Sequence, residues 1–555
     1  MTNSLAHLSR RILPAVLGVT AIAGCSSSGG HPAATRTATP SVVASAAATG
    51  SAAASSPPAA PSAGPSSAAP SGQADPALEP FYGQQIAWGR CAPDPEDSGV
   101  DMSVFQCGTA HVPLDYGNPG LGTVDLALIR KSATQPGHKL GSLFFDPGGP
   151  GGSGVNYLAE TAVRQFGALN ADYDLIGFDP RGVGASTPVH CLDDATRDRF
   201  VAQPHATDTT GKEFESACAA RSGKLLAYVG TVNAARDLDV LRAAVGEQKL
   251  DYLGFSYGTY LGADYADQFP DRTGRLVLDG AMDPSVGPLQ GDVQQQIGFE
   301  GVYERFAKDC VSQSDCPLGS DPDTAAKKAA DFLDGLDAQP LTSATSGRVL
   351  NSSLAWTGTL GLLYGSAKDW QYLRLGLSQA MRQHRPDLML AFADNYNGRD
   401  QQGHYSNEAD ANAAINCADE GGPAPTADQL QQALQQLHQQ APYLTHRMTV
   451  DDLALGIDCS AWPHQQPTPP QQIKAAGSAP ILVVGSTGDD ATPYQWAQHL
   501  STMLADATLL TRDGDGHTAY DKSSCVQRAV NAFLLGGTMP AAGTHCATDN
   551  QDGNG

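Results

Sequence analysis

Gly254-Phe255-Ser256-Tyr257-Gly258 constrains the fold of this chain more than any other stretch. Before it, Leu250, Tyr252 and Leu253 close an apolar, strand-like run; after it, Leu261, Tyr265 and Phe269 recur at helical spacing up to Pro270. A serine between two glycines at a strand-to-helix junction is the pattern of a nucleophile elbow. The serine sits in a strained backbone conformation, and its neighbours must lack side chains for the turn to close. Ser256 is therefore the candidate nucleophile for attack on a carbonyl.

The rest of the chain reads as the scaffold such a turn needs. Residues 123–130, 141–146, 172–179, 275–280, 479–485 and 507–511 have strand-like apolar runs or alternation. Between them, Val232, Ala235, Leu238, Leu241 and Val245 recur at helical spacing. Alternating strands and helices predict an α/β fold with a mostly parallel sheet covered by helices on both faces. The interval from 281 to 478 breaks the rhythm, being rich in Ala, Gln, Leu and Asp with helical periodicity. It is expected to be a helical cap inserted before the last strands, dividing the core into parts at 78–280 and 479–555.

Residues 1–25 read as an export signal. His7, Arg10 and Arg11 make a basic start, residues 12–23 a short apolar core, and Ile22-Ala23-Gly24-Cys25 a lipobox with Cys25 as the lipidation site. Residues 26–77 are Ala, Ser, Pro, Gly and Thr, a composition that cannot offset chain entropy, and are expected to form a disordered tether. The expected location is extracellular, tethered to the cell membrane as a lipoprotein or secreted, with the membrane met only through Cys25. The ten other cysteines are even in number, suiting disulfides in an exported chain. Pairing sequential neighbours closes the shortest loops: 91–107, 191–218, 310–316, 417–459 and 525–546. A net charge of −24 argues against a nucleic-acid partner. The 14 histidines are scattered without an H-E-x-x-H pattern, so no metal and no cofactor are expected.

A serine nucleophile needs a base and a carboxylate that orients it, and on a sheet of this kind they follow in the order Ser, acid, His. Asp489 follows the strand at 479–485 and is the expected acid, with Asp490 its rival. His517 follows the last strand and is the expected base, and Gly516 before it would let the imidazole approach the elbow. Residues 146–154, Asp-Pro-Gly-Gly-Pro-Gly-Gly-Ser-Gly, follow an earlier strand and suit an oxyanion hole, where backbone N–H groups meet a developing negative oxygen. The expected donors are the amides of Tyr257 and Gly149, with Gly148 second. A phosphate-binding loop is the rival, but no Gly-Lys-Ser/Thr follows.

These residues resemble a known family. Pro147-Gly148-Gly149-Pro150-Gly151-Gly152 is similar to the His-Gly-Gly-Pro-Gly loop of prolyl aminopeptidases, with Pro147 at the histidine position. Around it, residues 112–116, 177–182, 236–239, 254–259, 417–419, 459–463 and Asp489-x-x-Thr492-Pro493 resemble the secreted tripeptidyl aminopeptidases of actinomycetes. The resemblance implies an α/β-hydrolase with a helical cap that acts as a serine exopeptidase, releasing short peptides, often tripeptides, from free N-termini of a peptide substrate. It carries over Ser256, Asp489 and His517 as the triad; Asp490 stands where relatives often have proline. An exopeptidase needs a carboxylate for the substrate's ammonium group, and Asp419 and Glu420 are the expected pair. An esterase of small esters using the same triad is the alternative. A non-catalytic surface lipoprotein fits an intact triad poorly. Oligomeric state is left open.

Overall fold

The computed structural model describes residues 76–92, 99–203, 208–419, 424–456, 459, 462 and 472–549. The leader, Cys25, the tether up to residue 75 and Glu420 lie outside the described residues.

Ten strands form one sheet: β1 (Gly89–Arg90), β2 (Gln106–Pro113), β3 (Thr123–Lys131), β4 (Gly141–Asp146), β5 (Tyr173–Phe178), β6 (Leu250–Phe255), β7 (Thr273–Asp279), β10 (Ile481–Gly488), β11 (Ala507–Asp515) and β12 (His545–Ala547). Their order is β1-β2-β3-β5-β4-β6-β7-β10-β11-β12. From β5 to β12 all neighbours are parallel, while β1, β2 and β3 join antiparallel at one edge. A separate ribbon pairs β8 (Leu341–Thr342) with β9 (Val349–Leu350).

The sheet is buried on both faces because its strands alternate two sets of apolar residues. Phe144, Tyr252, Leu276, Ile481 and Val483 pack on one side with helices α2 (Thr231–Ala244) and α3 (Tyr257–Gln268). Leu143, Phe145, Leu253, Val277, Leu482 and Val484 pack on the other with α1 (Gly154–Thr161) and α8 (Ser524–Gly536). Each fully buried side chain of this size contributes roughly 1.5–3 kcal/mol, so neither face can be exposed. The sheet is the mostly parallel, doubly covered one that the pattern predicts, with its antiparallel edge added by β1 to β3.

Between β7 and β10 the regular structure among the described residues is helical apart from the β8–β9 ribbon. Its longest helix, α4 (Pro288–Ser312), shares an apolar cluster with α5 (Ser352–Leu363) and with Trp370, Leu377, Met389 and Phe392. One inserted helix packs instead on the core: Ala411, Ala414 and Ile415 of α6 (Glu408–Asp419) belong to the first sheet cluster. After β10, α7 (Tyr494–Met503) leads to β11. Five disulfides join Cys91–Cys107, Cys191–Cys218, Cys310–Cys316, Cys417–Cys459 and Cys525–Cys546, the sequential pairs that close the shortest loops.

Candidate active site

β6 ends at Phe255, and Ser256 turns the chain into α3 with φ 54° and ψ −125°. A non-glycine residue held there stores on the order of 1–3 kcal/mol. The turn is fixed by the Ser256 amide donating to Asp279 O at 2.9 Å and by Thr259 Oγ1 donating to Ser256 O at 2.6 Å. Both flanking glycines are required by close approach. A Cβ at Gly254 would lie 2.5 Å from Gly258 O, and one at Gly258 2.8 Å from Asp146 O.

Asp489 lies just past β10. Its Oδ1 accepts the amides of Ala491 and Thr492 at 3.1 and 2.8 Å, and its Oδ2 accepts that of Thr518 at 3.0 Å. His517 Nδ1 stands 2.9 and 3.1 Å from the two carboxylate oxygens. Burial pushes the Asp489 carboxyl up, but the His517 ring and the Thr492 and Thr518 amides outweigh it and hold its pKa below the usual range. An ionised Asp489 favours the proton on Nδ1, which leaves the Nε2 lone pair as the basic nitrogen. That Nε2 is buried and makes no hydrogen bond here, to Ser256 or to any other described residue. A serine–histidine bond of this kind commonly tightens only when substrate arrives.

The rival acid is placed differently. Asp490 is fully buried, and neither carboxyl oxygen has a hydrogen-bond partner. Its backbone lies against α4, where a Cβ at Gly298 would stand 2.5 Å from Asp490 O. Burial and the adjacent Asp489 charge push its pKa well up, which favours the neutral acid. Of the two, only Asp489 bonds His517.

The loop carrying His517 is held from three sides. The buried Arg512 guanidinium donates to Ser486 Oγ, Asp515 O and Gly516 O, each at 2.8 Å. Asp279 Oδ2 accepts the amides of Ala519 and Tyr520 at 3.2 and 2.8 Å. From the inserted helices, Tyr364 O accepts the His517 amide at 3.1 Å, and the two rings meet edge to face at 6.0 Å. Gly516 has φ 100°, and a Cβ there would lie 2.0 Å from Gly365 O. Gly516→Ala therefore combines strain with a clash against backbone, and the loop must move. The expected loss is about 2–4 kcal/mol of stability, seen in thermal unfolding, with kcat falling more than KM rises. Sequence reading missed Arg512 and Asp279 as supports; an arginine directly after the strand-like run at 507–511 was the available signal for the first.

The glycine-rich loop lies on the elbow. A Cβ at Gly148 would stand 2.8 Å from Tyr257 N and 2.9 Å from Ser256 Cβ. The Gly148 amide is committed to Asp146 Oδ1 at 2.8 Å, which leaves Gly149 as the loop's candidate donor. Tyr257 opens α3, so its amide is one of the first-turn N–H groups that no helical carbonyl satisfies. Asp419 lies at the end of α6 with both oxygens engaged, by the Thr231 amide at 2.7 Å and Thr231 Oγ1 at 2.5 Å. Thr231 Oγ1 also bonds the Tyr257 hydroxyl, so Asp419 braces the residue next to Ser256. Burial pushes the Asp419 carboxyl up to about 7. Among the described residues, no group of three or more His, Cys, Asp or Glu could hold a metal ion.

A strained serine after a central parallel strand, with an Asp–His pair at the ends of two later strands, defines an α/β-hydrolase of the serine class. Residues 446–546 match the model of the family described as TAP-like protein. The chain is 38% identical over 496 residues to the serine protease Hip1 of Mycobacterium tuberculosis, covering 84% of this chain and 92% of that one. It is 36% identical to carboxylesterase B of the same species, over 84% and 91% of the two chains. With the tripeptidyl aminopeptidase of Streptomyces lividans the identity is 33%, over 82% of this chain and 87% of the other. The chain belongs to the TAP-like α/β-hydrolase family, and it is a serine hydrolase.

Proposed function

We propose that this enzyme is an extracellular exopeptidase that releases short peptides, tripeptides foremost, from free N-termini through an acyl-enzyme. In this reading Ser256 Oγ attacks the scissile carbonyl while His517 Nε2 takes its proton, and Asp489 holds the ring and offsets its charge. The Tyr257 and Gly149 amides receive the developing oxyanion. His517 then protonates the leaving amine; in the second half it takes a proton from water, the hydroxide attacks the Ser256 ester, and return of that proton to Ser256 Oγ frees the peptide as a carboxylic acid. The likeness to the S. lividans tripeptidyl aminopeptidase over most of both chains carries the choice of substrate.

Export is supported by the lipobox at Cys25 and by five disulfides, which persist in oxidising compartments. No helix among the described residues is long and apolar enough to cross a membrane. In this reading the enzyme is attached through acylation of Cys25. The second reading, an esterase of small esters, is favoured by the likeness to carboxylesterase B. A free-amine tripeptide anilide, its N-acetylated form and a short-chain nitrophenyl ester separate the two. The exopeptidase should prefer the free amine over the blocked one by at least about 100-fold in kcat/KM. Indifference to acetylation, with the ester turned over fastest, would replace the first reading by the second.

A further inference from the structure

The exopeptidase reading requires a carboxylate for the substrate's ammonium group, and Asp419 is already engaged by Thr231 at both oxygens. One acidic side chain beside the glycine-rich loop is free. Glu408 opens α6, is only partly exposed, and has no hydrogen-bond or ion-pair partner among the described residues. A Cβ at Gly152 would lie 3.6 Å from Glu408 Oε1, and one at Gly151 2.6 Å from Glu408 O. Gly152 is itself bonded to Gly148, its amide 3.0 Å from Gly148 O, and Gly148 packs against Ser256 Cβ and the Tyr257 amide. Ser256, the oxyanion loop and Glu408 thus form one continuous line of contact.

The backbone around Glu408 is fixed. Asn407 accepts from the Gly184 amide at 2.9 Å and donates to Gly182 O and Val189 O at 2.9 and 3.0 Å. Asp410 accepts the Cys191 amide at 2.7 Å and pairs with Arg197, and Asn412 donates to Pro150 O at 2.9 Å. These contacts use the residues on either side of Glu408 and leave its own carboxyl unused. Burial with nothing to offset it pushes that carboxyl up to about 8. A carboxyl so placed either keeps its proton or meets a cation. A peptide acyl group of two or three residues, at about 3.5 Å per residue, is the kind of chain that can cross one loop from Ser256.

We infer that Glu408 binds the α-ammonium group of the peptide whose carbonyl is attacked by Ser256, and so sets the demand for a free N-terminus. This assignment rests on the exopeptidase reading. The ratio of kcat/KM for a free-amine tripeptide anilide over its N-acetylated form tests it, measured on wild type, Glu408→Gln and Asp419→Asn. Active-site titration with a fluorophosphonate counts the folded sites in each preparation. In Glu408→Gln the ratio should fall about 10- to 100-fold, the loss of one charge-assisted contact. In Asp419→Asn the ratio should hold even where overall turnover drops. A discriminating wild type with an unchanged ratio in Glu408→Gln would overturn the assignment alone. A wild type indifferent to acetylation would overturn the exopeptidase reading, and this assignment with it.

Discussion

Ser256→Ala is expected to lower kcat by about 10⁴- to 10⁶-fold on peptide and ester substrates alike, with the fold intact. Nothing in the packing depends on the hydroxyl. The bonds that fix the turn run through the Ser256 amide and carbonyl, which alanine retains. The strained φ of 54° is the same for alanine as for serine, so the melting temperature should move by no more than about 2 °C. The candidate oxyanion amides and the Asp489–His517 pair stay in place and should sustain the residual rate. Covalent labelling by a fluorophosphonate should vanish with the activity. Residual turnover within about 100-fold of wild type would mean that another group carries the attack. Loss on the peptide with survival on the ester would point to a second esterolytic site.

What the sequence discloses about this molecule is what local chemistry controls. The elbow is legible because its geometry demands small residues at fixed offsets, and the distances at Gly254 and Gly258 show why. The central strands are legible because both faces are buried, so residues 141–146 and 479–485 are almost continuously apolar. The edge escapes because β1 and β12 are two and three residues long and carry no pattern of their own. The supports of the His517 loop escape for another reason. Arg512 and Asp279 act on backbone groups brought near only by the fold, and no spacing encodes that. The docking of α6 on the core is likewise a long-range result, held by bonds between Asn407, Asp410 and Asn412 and distant loops. That is why Asp419, two residues after Cys417 in a short recognisable motif, stands out in the sequence while Glu408 does not. A lone glutamate at a helix start looks like any solvated acid until the loop beside it is seen.

Asp489→Asn and Asp490→Asn should differ in opposite directions, although the two residues are adjacent and both buried. Asparagine at 489 offers an amide where His517 Nδ1–H needs an acceptor, so the ring loses its partner or turns to the other tautomer. The expected loss in kcat is about 10³- to 10⁴-fold, with KM little changed. At 490 the native side chain is the burden. Burial and the Asp489 charge raise its pKa in the folded protein and favour the neutral carboxyl there, whereas in the unfolded chain it ionises near pH 4. The unfolded state therefore releases a proton that the folded state keeps, and stability falls as pH rises above about 4. Asparagine removes that penalty without changing the shape of the site. Asp490→Asn should keep most activity and melt higher at pH 7, by about 2 °C or more, with the gain shrinking as pH falls towards 4. Paired melting curves at the two pH values, beside kcat for both variants, check the argument. Equal losses of activity at 489 and 490 would show that His517 draws on both carboxyls during turnover. A uniform stability change at both pH values would show that Asp490 is charged in the folded protein as well.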